Sequence, residues 1–168
     1  QRLLFDIYDD LSRTMYTFRI SDIICIIKQS LTNSQDFFSE IHPIKNPYTN
    51  VPFTKAQLYN IYFTIRQSSF VMPTSLHLFL KCNFDLQTYE TMHETYIRSI
   101  AIKNFLFSAS NDQREYYILK MLRDYHSATC SLVIHEDFPQ EHLLKHLGHF
   151  LKLYIPAEFS LSPTIRYK

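Results

Sequence analysis

A chain of 168 residues with 46% apolar side chains is long enough to bury the core of one domain. It contains a single glycine, Gly148, where average usage gives about twelve, which excludes glycine-rich phosphate loops, dinucleotide-binding fingerprints and nucleophile elbows. Two-residue hairpins also favour glycine, so an all-β fold is disfavoured. The net charge of +1 selects no class of partner through bulk electrostatics.

Hydrophobic periodicity predicts a mainly α fold, a single compact domain of about seven helices in which strand is minor or absent. Residues 2–15 carry apolar side chains at helical spacing. Ser21-Asp22 has the character of a cap and first turn for a second helix, although the β-branched run Ile23–Ile27 also suits a strand. The predicted helices lie near residues 2–15, 21–32, 54–68, 73–82, 85–105, 111–126 and 139–154.

The segment 46–58 predicts a rigid turn that leads into a capped helix. Two Xaa-Pro pairs in it fix φ angles and push the preceding residues into extended geometry. Thr54 and Gln57 have the capping-box spacing, and Phe53 and Leu58 occupy the positions of a hydrophobic staple over that cap. The helix that follows then presents a buried stripe at spacing i, i+3, i+4, i+7, formed by Leu58, Ile61, Tyr62 and Ile65.

The C-terminal end of the chain is predicted to be extended. The last helix is expected to end at the Ile155-Pro156 junction, because a residue before proline is disfavoured in helical geometry. Residues 157–168 show no helical period, so the predicted organisation is a helical domain over 1–156 and an extended tail over 157–168. The tail either adds to the sheet edge or groove of a neighbour or wraps over its own helices.

Three histidines, His142, His146 and His149, are the best candidates for chemistry, because their spacing places them along one face of the predicted last helix. Cys130 or His135 would complete a tetrahedral zinc set. The pattern lacks the cysteine pair of a zinc finger and the glutamate of an HExxH motif, and an apolar stripe lies beside it. We therefore predict no metal and no other cofactor, with the histidine face as the alternative for a metal-stabilised module or enzyme.

Residues 41–84 form an acid-free segment. It contains Lys45, Lys55, Arg66 and Lys81 among several aromatic side chains, a pattern that suits stacking on single-stranded nucleic acid. Four cations are far fewer than the dense basic stripe of a dedicated nucleic-acid binder. A nucleic-acid-associated factor is therefore the alternative, and a tyrosine-rich core with protein-contact tyrosines is the preferred interpretation.

Neither an enzymatic motif nor a membrane span is predicted. Adjacent His135, Glu136 and Asp137 resemble a catalytic cluster only superficially, because the local sequence predicts a turn whose side chains point in different directions. The longest strictly apolar run, Ile23–Ile27, is far too short to span a bilayer. The chain opens on Gln1 without a methionine, as expected of a processed product or of a piece of a longer polypeptide. We predict no catalytic residue.

A family resemblance rests on the same region as the predicted capped helix. Asn-Pro-Tyr-Thr-Asn at 46–50, Pro-Phe at 52–53 and Leu-Tyr-Asn-Ile-Tyr-Phe at 58–63 resemble uncharacterised proteins of nucleocytoplasmic large DNA viruses of algae and protists. The resemblance spans residues 18–107 at most, and the composition, rich in Asn, Ile and Tyr and free of Trp, is similar too. It implies a viral context and assigns neither an activity nor catalytic residues.

Within such a context, compact helical proteins without enzymatic motifs are often minor capsid or other virion components. We therefore expect a non-enzymatic structural or interaction protein, located in the virion and, during assembly, in the host cytoplasm. Its expected partners are other viral structural proteins, including capsid proteins, and no small-molecule substrate is expected. The predicted protein-contact residues are Tyr48, Tyr59, Phe159, Leu161 and Tyr167.

Overall fold

The computed structural model describes residues 4–9, 12–125, 134–135 and 138–166. The fold is mainly helical, as predicted. The helices are α1 (Ile20–Leu31), α2 (Lys55–Gln67), α3 (Thr74–Lys81), α4 (Leu86–Ser108), α5 (Asn111–Asp124), α6 (Gln140–Leu147), α7 (Leu151–Phe159) and α8 (Pro163–Arg166). The strands are β1 (Leu4–Asp9), β2 (Thr14–Arg19), β3 (Ser34–Gln35) and β4 (Phe38–Ser39), and a 3₁₀ turn, Gly148–Phe150, joins α6 to α7.

The chain divides into two compact units. The N-terminal unit comprises residues 1–97 and the C-terminal unit residues 98–168, so the boundary falls inside α4. The predicted division into 1–156 and 157–168 does not coincide with this boundary. Helix α4 departs from helical geometry at His93 (φ −121°, ψ 17°), within the N-terminal unit.

The helix predicted over residues 2–15 is wrong, because this region forms an antiparallel hairpin of β1 and β2. Phe5 lies opposite Phe18, with ring centroids 5.9 Å apart, and Ile7 is 2% exposed. Tyr8, which the helical spacing placed on the same face as Ile7, is 49% exposed. Alternation of inward and outward side chains therefore decides this segment, and the helical spacing of its apolar residues is coincidental.

A second hairpin, β3–β4, turns without glycine. Asp36 and Phe37 occupy its two-residue loop with φ of 47° and 70°, the left-handed geometry that a type I′ turn requires. Phe37 is 5% exposed, so burial of its ring offsets the steric cost of positive φ. The scarcity of glycine in this chain therefore does not prevent tight hairpins.

The capped helix of segment 46–58 is confirmed. The Gln57 backbone N–H donates to Thr54 Oγ1 at 3.3 Å, and the Thr54 N–H donates to Gln57 Oε1 at 2.9 Å. Phe53 and Leu58 are 7% and 5% exposed, in agreement with the staple positions. The predicted stripe of α2 is buried over all its members, Leu58, Ile61, Tyr62 and Ile65.

The core of the N-terminal unit is formed by α1, α2, α3, the first part of α4 and the inner face of the β1–β2 hairpin. The ambiguous run at 23–27 is helical, and Ile23 and Ile27 are fully buried. Tyr89 of α4 is also fully buried, and its hydroxyl donates to the Leu31 carbonyl at 3.3 Å. This hydrogen bond satisfies the only polar atom of the Tyr89 side chain inside an apolar core.

The prediction of an extended tail is wrong over its described residues, which end at residue 166. The helix predicted near 139–154 is split by the 3₁₀ turn, and α7 runs through Pro156 to Phe159. Proline inside a helix costs about 3 kcal/mol. Complete burial of Ile155 and near-complete burial of Phe159 offset that cost, since the Phe159 ring packs edge-on against Tyr117 at 5.8 Å.

Candidate functional site

The structure places two of the four predicted nucleic-acid contacts on one helix face. Lys55 and Arg66 are both exposed on α2, and their separation of eleven residues is close to three helical turns. Tyr59 and Phe63 lie between them and are 38% and 47% exposed. The other two cations lie on other elements. Lys45 forms an isolated bridge with Pro52, and exposed Lys81 lies at the end of α3.

A carboxylate borders this face. Hydrogen bonds from Thr88 lower the pKa of Asp85, and the positive charge of Lys55 lowers it further. Asp85 therefore stays ionised near neutral pH and compensates part of the positive charge at the start of α2. The acid-free segment of the sequence is thus not free of acidic neighbours in space.

The two predicted contact tyrosines of the N-terminal unit are held on one side and open on the other. Tyr48 is 65% exposed, and its ring stacks on Tyr16 with centroids 5.4 Å apart. Tyr59 packs edge-on against Phe84 at 4.9 Å, and its hydroxyl donates to Asn83 Oδ1 at 3.4 Å. Rings that are held in this way lose little conformational entropy when a partner covers them.

The predicted contacts of the C-terminal tail separate into different environments. Phe159 is only 7% exposed, with Lys120 Nζ 4.8 Å from its ring centroid, so it belongs to the core of the C-terminal unit rather than to an accessible surface. Leu161 is 42% exposed and remains accessible. Tyr167 lies outside the described residues.

The histidine face is not preserved as one helix face. His142 and His146 on α6 stack with ring centroids 6.4 Å apart, while His149 lies in the 3₁₀ turn against Phe150. Within the described ranges, no three His, Cys, Asp or Glu side chains are grouped so that they could hold a metal ion. His135 is exposed, and Cys130 lies outside the described residues, as do Glu136 and Asp137.

An apolar groove in the C-terminal unit was not predicted from the sequence. It has a volume of about 360 Å³ and lies between the end of α5 and α7. Three of its side chains are strongly accessible: Leu153 at 70%, Tyr125 at 51% and Phe150 at 43%. The full lining is Met121, Leu122, Tyr125, Leu147, Phe150, Leu153, Tyr154 and Ala157.

The sequence did contain a signal for this groove. Leu147, Phe150, Tyr154 and Ala157 recur every three or four residues, the spacing of a helix face. A helix that ends at Ile155 excludes Ala157 from this face, so the prediction missed the continuous wall. Only the passage of α7 through Pro156 aligns the four positions.

A hydrogen bond between buried Tyr154 and exposed Asp124 fixes the back of the groove. The Tyr154 hydroxyl donates to Asp124 Oδ2, which ties α7 to the end of α5. Burial and the negative charge of Asp124 raise the pKa of Tyr154, so this phenol stays neutral far above neutral pH. The groove is therefore set in position by a specific hydrogen bond as well as by apolar packing.

A larger, polar cleft opens in the N-terminal unit, with a volume of about 1020 Å³. It lies between β1 and the outer face of α2. Gln57, already engaged in the capping box, also donates from Nε2 to the Tyr8 carbonyl at 2.8 Å and ties β1 to the start of α2. The lining residues are Leu4, Phe5, Asp6, Ile20, Asn60, Thr64, Gln67, Ser68 and Ser69.

The chain matches no protein-family model, no curated protein and no solved structure at a significant level. Among the described helices, none combines the length and the apolarity that a bilayer crossing requires. The surfaces that offer themselves for contact are the apolar groove of the C-terminal unit and the polar cleft and α2 face of the N-terminal unit.

Proposed function

We propose that this protein is a non-enzymatic structural protein of a large DNA virus, a minor capsid or virion-associated component that contacts other viral structural proteins. The observation that carries the proposal is the apolar groove of the C-terminal unit. Its accessible rim consists of three large side chains, Leu153, Tyr125 and Phe150. Contiguous exposed apolar side chains of this kind mark interaction sites on soluble proteins.

The composition of the groove favours a protein partner. Protein interfaces are enriched in Tyr, Phe and Met and depleted of charge at their centre, and the groove lining contains all three residue types and no charged side chain. A trough between two helix ends suits the apolar face of an amphipathic helix, which places side chains at every third or fourth position into it. Its proposed occupant is such a helix of a viral structural protein.

Further exposed side chains of the same unit agree with protein contact. Phe107 near the end of α4 is 79% exposed, and Tyr116 on α5 is 56% exposed. The viral context comes from the resemblance of residues 46–63 to proteins of large DNA viruses. Together these features support a location in the particle and, during assembly, in the host cytoplasm.

The test is a single charge in the groove, Leu153→Asp, introduced into the viral gene. Because Leu153 is 70% exposed, the change leaves the fold intact while it places a carboxylate against the apolar partner. Thr164→Asp on exposed α8 adds the same charge outside the groove and serves as the matched control. Quantitative mass spectrometry of purified particles should show at least a tenfold loss of the Leu153→Asp protein and no loss of the control.

Two outcomes would contradict the proposal. Absence of the unmodified protein from purified particles removes the virion assignment. Equal incorporation of Leu153→Asp and Thr164→Asp removes the groove as the contact site. Comparable amounts of each variant in infected-cell lysate are the necessary reference, because a change in abundance would otherwise imitate a loss of incorporation.

A second candidate function, binding of single-stranded nucleic acid, is favoured by the α2 face alone. Lys55 and Arg66 flank two exposed aromatic rings, Tyr59 and Phe63, the combination that tracks phosphates and stacks bases. The measurement is affinity for a single-stranded oligonucleotide as a function of salt. The double variant Lys55→Gln/Arg66→Gln should reduce the slope of log affinity against log salt by about 1.4. Lys103→Gln, at an exposed position of α4, should leave the slope unchanged. A slope near zero for the unmodified protein eliminates this candidate.

A further inference from the structure

Within the described ranges, one edge of strand β1 has no neighbouring strand. Among the described residues, β1 pairs with β2 alone, in a sheet of two strands. The Tyr8 carbonyl points away from β2, because it accepts a hydrogen bond from Gln57 of α2. Backbone groups alternate in direction along a strand, so the N–H and C=O groups of Leu4 and Asp6 point to the same outer side. That side is the polar cleft, which Leu4 and Asp6 line.

The opposite wall of the cleft is rich in side chains that both donate and accept hydrogen bonds. Asn60, Thr64 and Gln67 of α2 lie along it, followed by Ser68 and Ser69. Amide and hydroxyl side chains suit a peptide backbone, whose N–H and C=O groups alternate at regular spacing. An apolar ligand would instead cover the amides of Asn60 and Gln67 without offering them hydrogen bonds.

We infer that this cleft binds an extended segment of a partner protein, which adds to β1 as a third strand. One edge of the segment pairs with the backbone of Leu4 and Asp6, and its other edge meets Asn60 and Gln67 of α2. Strand addition of this kind derives affinity from backbone hydrogen bonds and selectivity from alternate side chains. The inference rests on the proposed role in protein contacts and adds a second surface with a different kind of partner.

The cleft also indicates which side chains the segment carries. The Asp6 carboxylate lies on the lining and accepts a hydrogen bond from Thr17 Oγ1 of β2, which fixes its orientation. A lysine or arginine of the segment next to this carboxylate gains a favourable charge interaction. Apolar side chains at alternate positions meet Phe5 and Ile20 at the base of the cleft.

The test uses a defined probe and the full chain. A fluorescein-labelled peptide, acetyl-Thr-Val-Lys-Val-Thr-Val-Thr-amide, is titrated with the protein and followed by fluorescence anisotropy. Two further versions are N-methylated at alternate backbone nitrogens, so that each has lost the N–H donors of one edge. We expect saturable binding of the unmodified peptide and at least tenfold weaker binding of one or both methylated versions.

Variants of the protein locate the binding site. Thr64→Trp fills the cleft and should weaken binding of the unmodified peptide at least tenfold. Thr95→Trp makes the same substitution at an exposed position of α4, elsewhere in the N-terminal unit, and should leave the affinity within twofold. Asp6→Asn should weaken binding of the lysine peptide about threefold and leave a version with threonine in place of lysine unchanged. Circular dichroism of each variant confirms that it is folded.

Several results would overturn the inference: no binding of the unmodified peptide, binding of both methylated versions as tight as that of the unmodified peptide, or equal binding by Thr64→Trp and Thr95→Trp. If Thr64→Trp does not fold, the methylated peptides decide the question on the unchanged protein. Failure here leaves the groove of the C-terminal unit untouched, because Leu153→Asp tests that surface separately. If Leu153→Asp is lost from particles and the unmodified protein binds no peptide, the proposed function is retained and only the strand-addition site is removed.

Discussion

The two units of this protein differ in what their openings are made of. The N-terminal unit has a core that includes Ile23, Ile27 and Tyr89, and its large opening is lined mainly by amides and hydroxyls. The C-terminal unit leaves Leu153 and Phe150 accessible around an apolar groove. The first opening is complementary to a backbone and the second to apolar side chains, so one chain offers two chemically distinct contact surfaces.

The N-terminal capping of the helices does not explain this difference. Both units contain a complete capping box, Thr54 with Gln57 at α2 and Ser110 with Gln113 at α5. In each box, the hydroxyl oxygen of the cap residue accepts a hydrogen bond from the backbone N–H of the glutamine, and the side-chain oxygen of the glutamine accepts one from the backbone N–H of the cap residue. The units therefore differ in the side chains that line their openings, not in how well their helices begin.

The largest expected effect is the loss of a buried ring in the N-terminal unit. Phe53→Ala removes a side chain that is 7% exposed and packs edge-on against Phe18 at 6.0 Å, so we expect a loss of about 3 kcal/mol in the free energy of unfolding. Phe63→Ala, which removes a ring 47% exposed on α2, should cost less than about 1 kcal/mol. Urea denaturation measures both. Similar losses for the two variants would show that Phe53 is not part of a closed core.

In the C-terminal unit, the next largest expected effect is the loss of one hydrogen bond. Tyr154→Phe removes the hydrogen bond to Asp124 while it keeps the ring, and hydrogen bonds to charged groups contribute about 2 kcal/mol. Asp124 is exposed and regains water, which limits the loss to that bond. Thermal unfolding of Tyr154→Phe beside Tyr125→Phe, whose residue is 51% exposed, gives the measurement. An unchanged melting temperature for Tyr154→Phe would mean that the pair does not hold α7 on α5.

Alkaline pH should destabilise both units through one buried tyrosine in each. Burial raises the pKa of Tyr89, and burial together with Asp124 raises that of Tyr154. Below pH 10 both phenols are neutral in the folded and unfolded chains, so their stabilisation is complete. Above pH 10 the unfolded chain releases these protons first, and each tyrosine lowers stability by at most about 1.4 kcal/mol per pH unit. Urea denaturation at pH 9 to 11 should show a steeper loss for the unmodified protein than for Tyr89→Phe.

The two capping boxes should contribute equally. Thr54→Ala and Ser110→Ala each remove one cap oxygen at an exposed helix start, so each should cost about 1 kcal/mol. Thr54→Ser, which keeps the oxygen, should retain most of the stability. A negligible effect of Thr54→Ala combined with the expected effect of Ser110→Ala would show that the turn before α2 holds the helix start without its cap.

The smallest expected effect lies in the groove itself. Leu153→Ala should change the free energy of unfolding by less than about 0.5 kcal/mol, since Leu153 is 70% exposed. Leu151→Ala, two residues earlier on α7 and 3% exposed, should cost about 3 kcal/mol. Denaturation of this pair separates the structural face of α7 from its contact face. A large loss for Leu153→Ala would place that side chain in the core and weaken the groove as a contact site.

Sequence patterns predicted the α2 region well because its signals are local. The cap, staple and stripe around Thr54 and Leu58 all involve residues within a few positions of each other, so no distant contact was needed to specify them. The first hairpin was predicted as a helix, because Leu4, Ile7, Tyr8 and Leu11 have helical spacing and only Phe5 and Ile7 show the alternation of a strand. Pairing with β2, which lies beyond the turn, was the deciding interaction.

The candidate surfaces were predictable only in part. Tyr48 and Tyr59 were expected as contacts and lie exposed, but Phe159 was expected on a tail and is buried in the C-terminal unit. The groove and the cleft each join residues from separate elements, so neither has a contiguous motif. Leu4 and Gln67, for example, are far apart in the chain and line the same cleft.

The sequence by itself determined the helical class, the start and buried stripe of α2, and the absence of glycine-dependent phosphate motifs, because each of these follows from composition or from contacts within one or two helical turns. Tertiary structure alone decided that Phe37 adopts positive φ in a glycine-free turn and that α7 continues through Pro156. In both places a local preference of a few kcal/mol is overridden by the burial of large side chains, whose partners lie elsewhere in the chain.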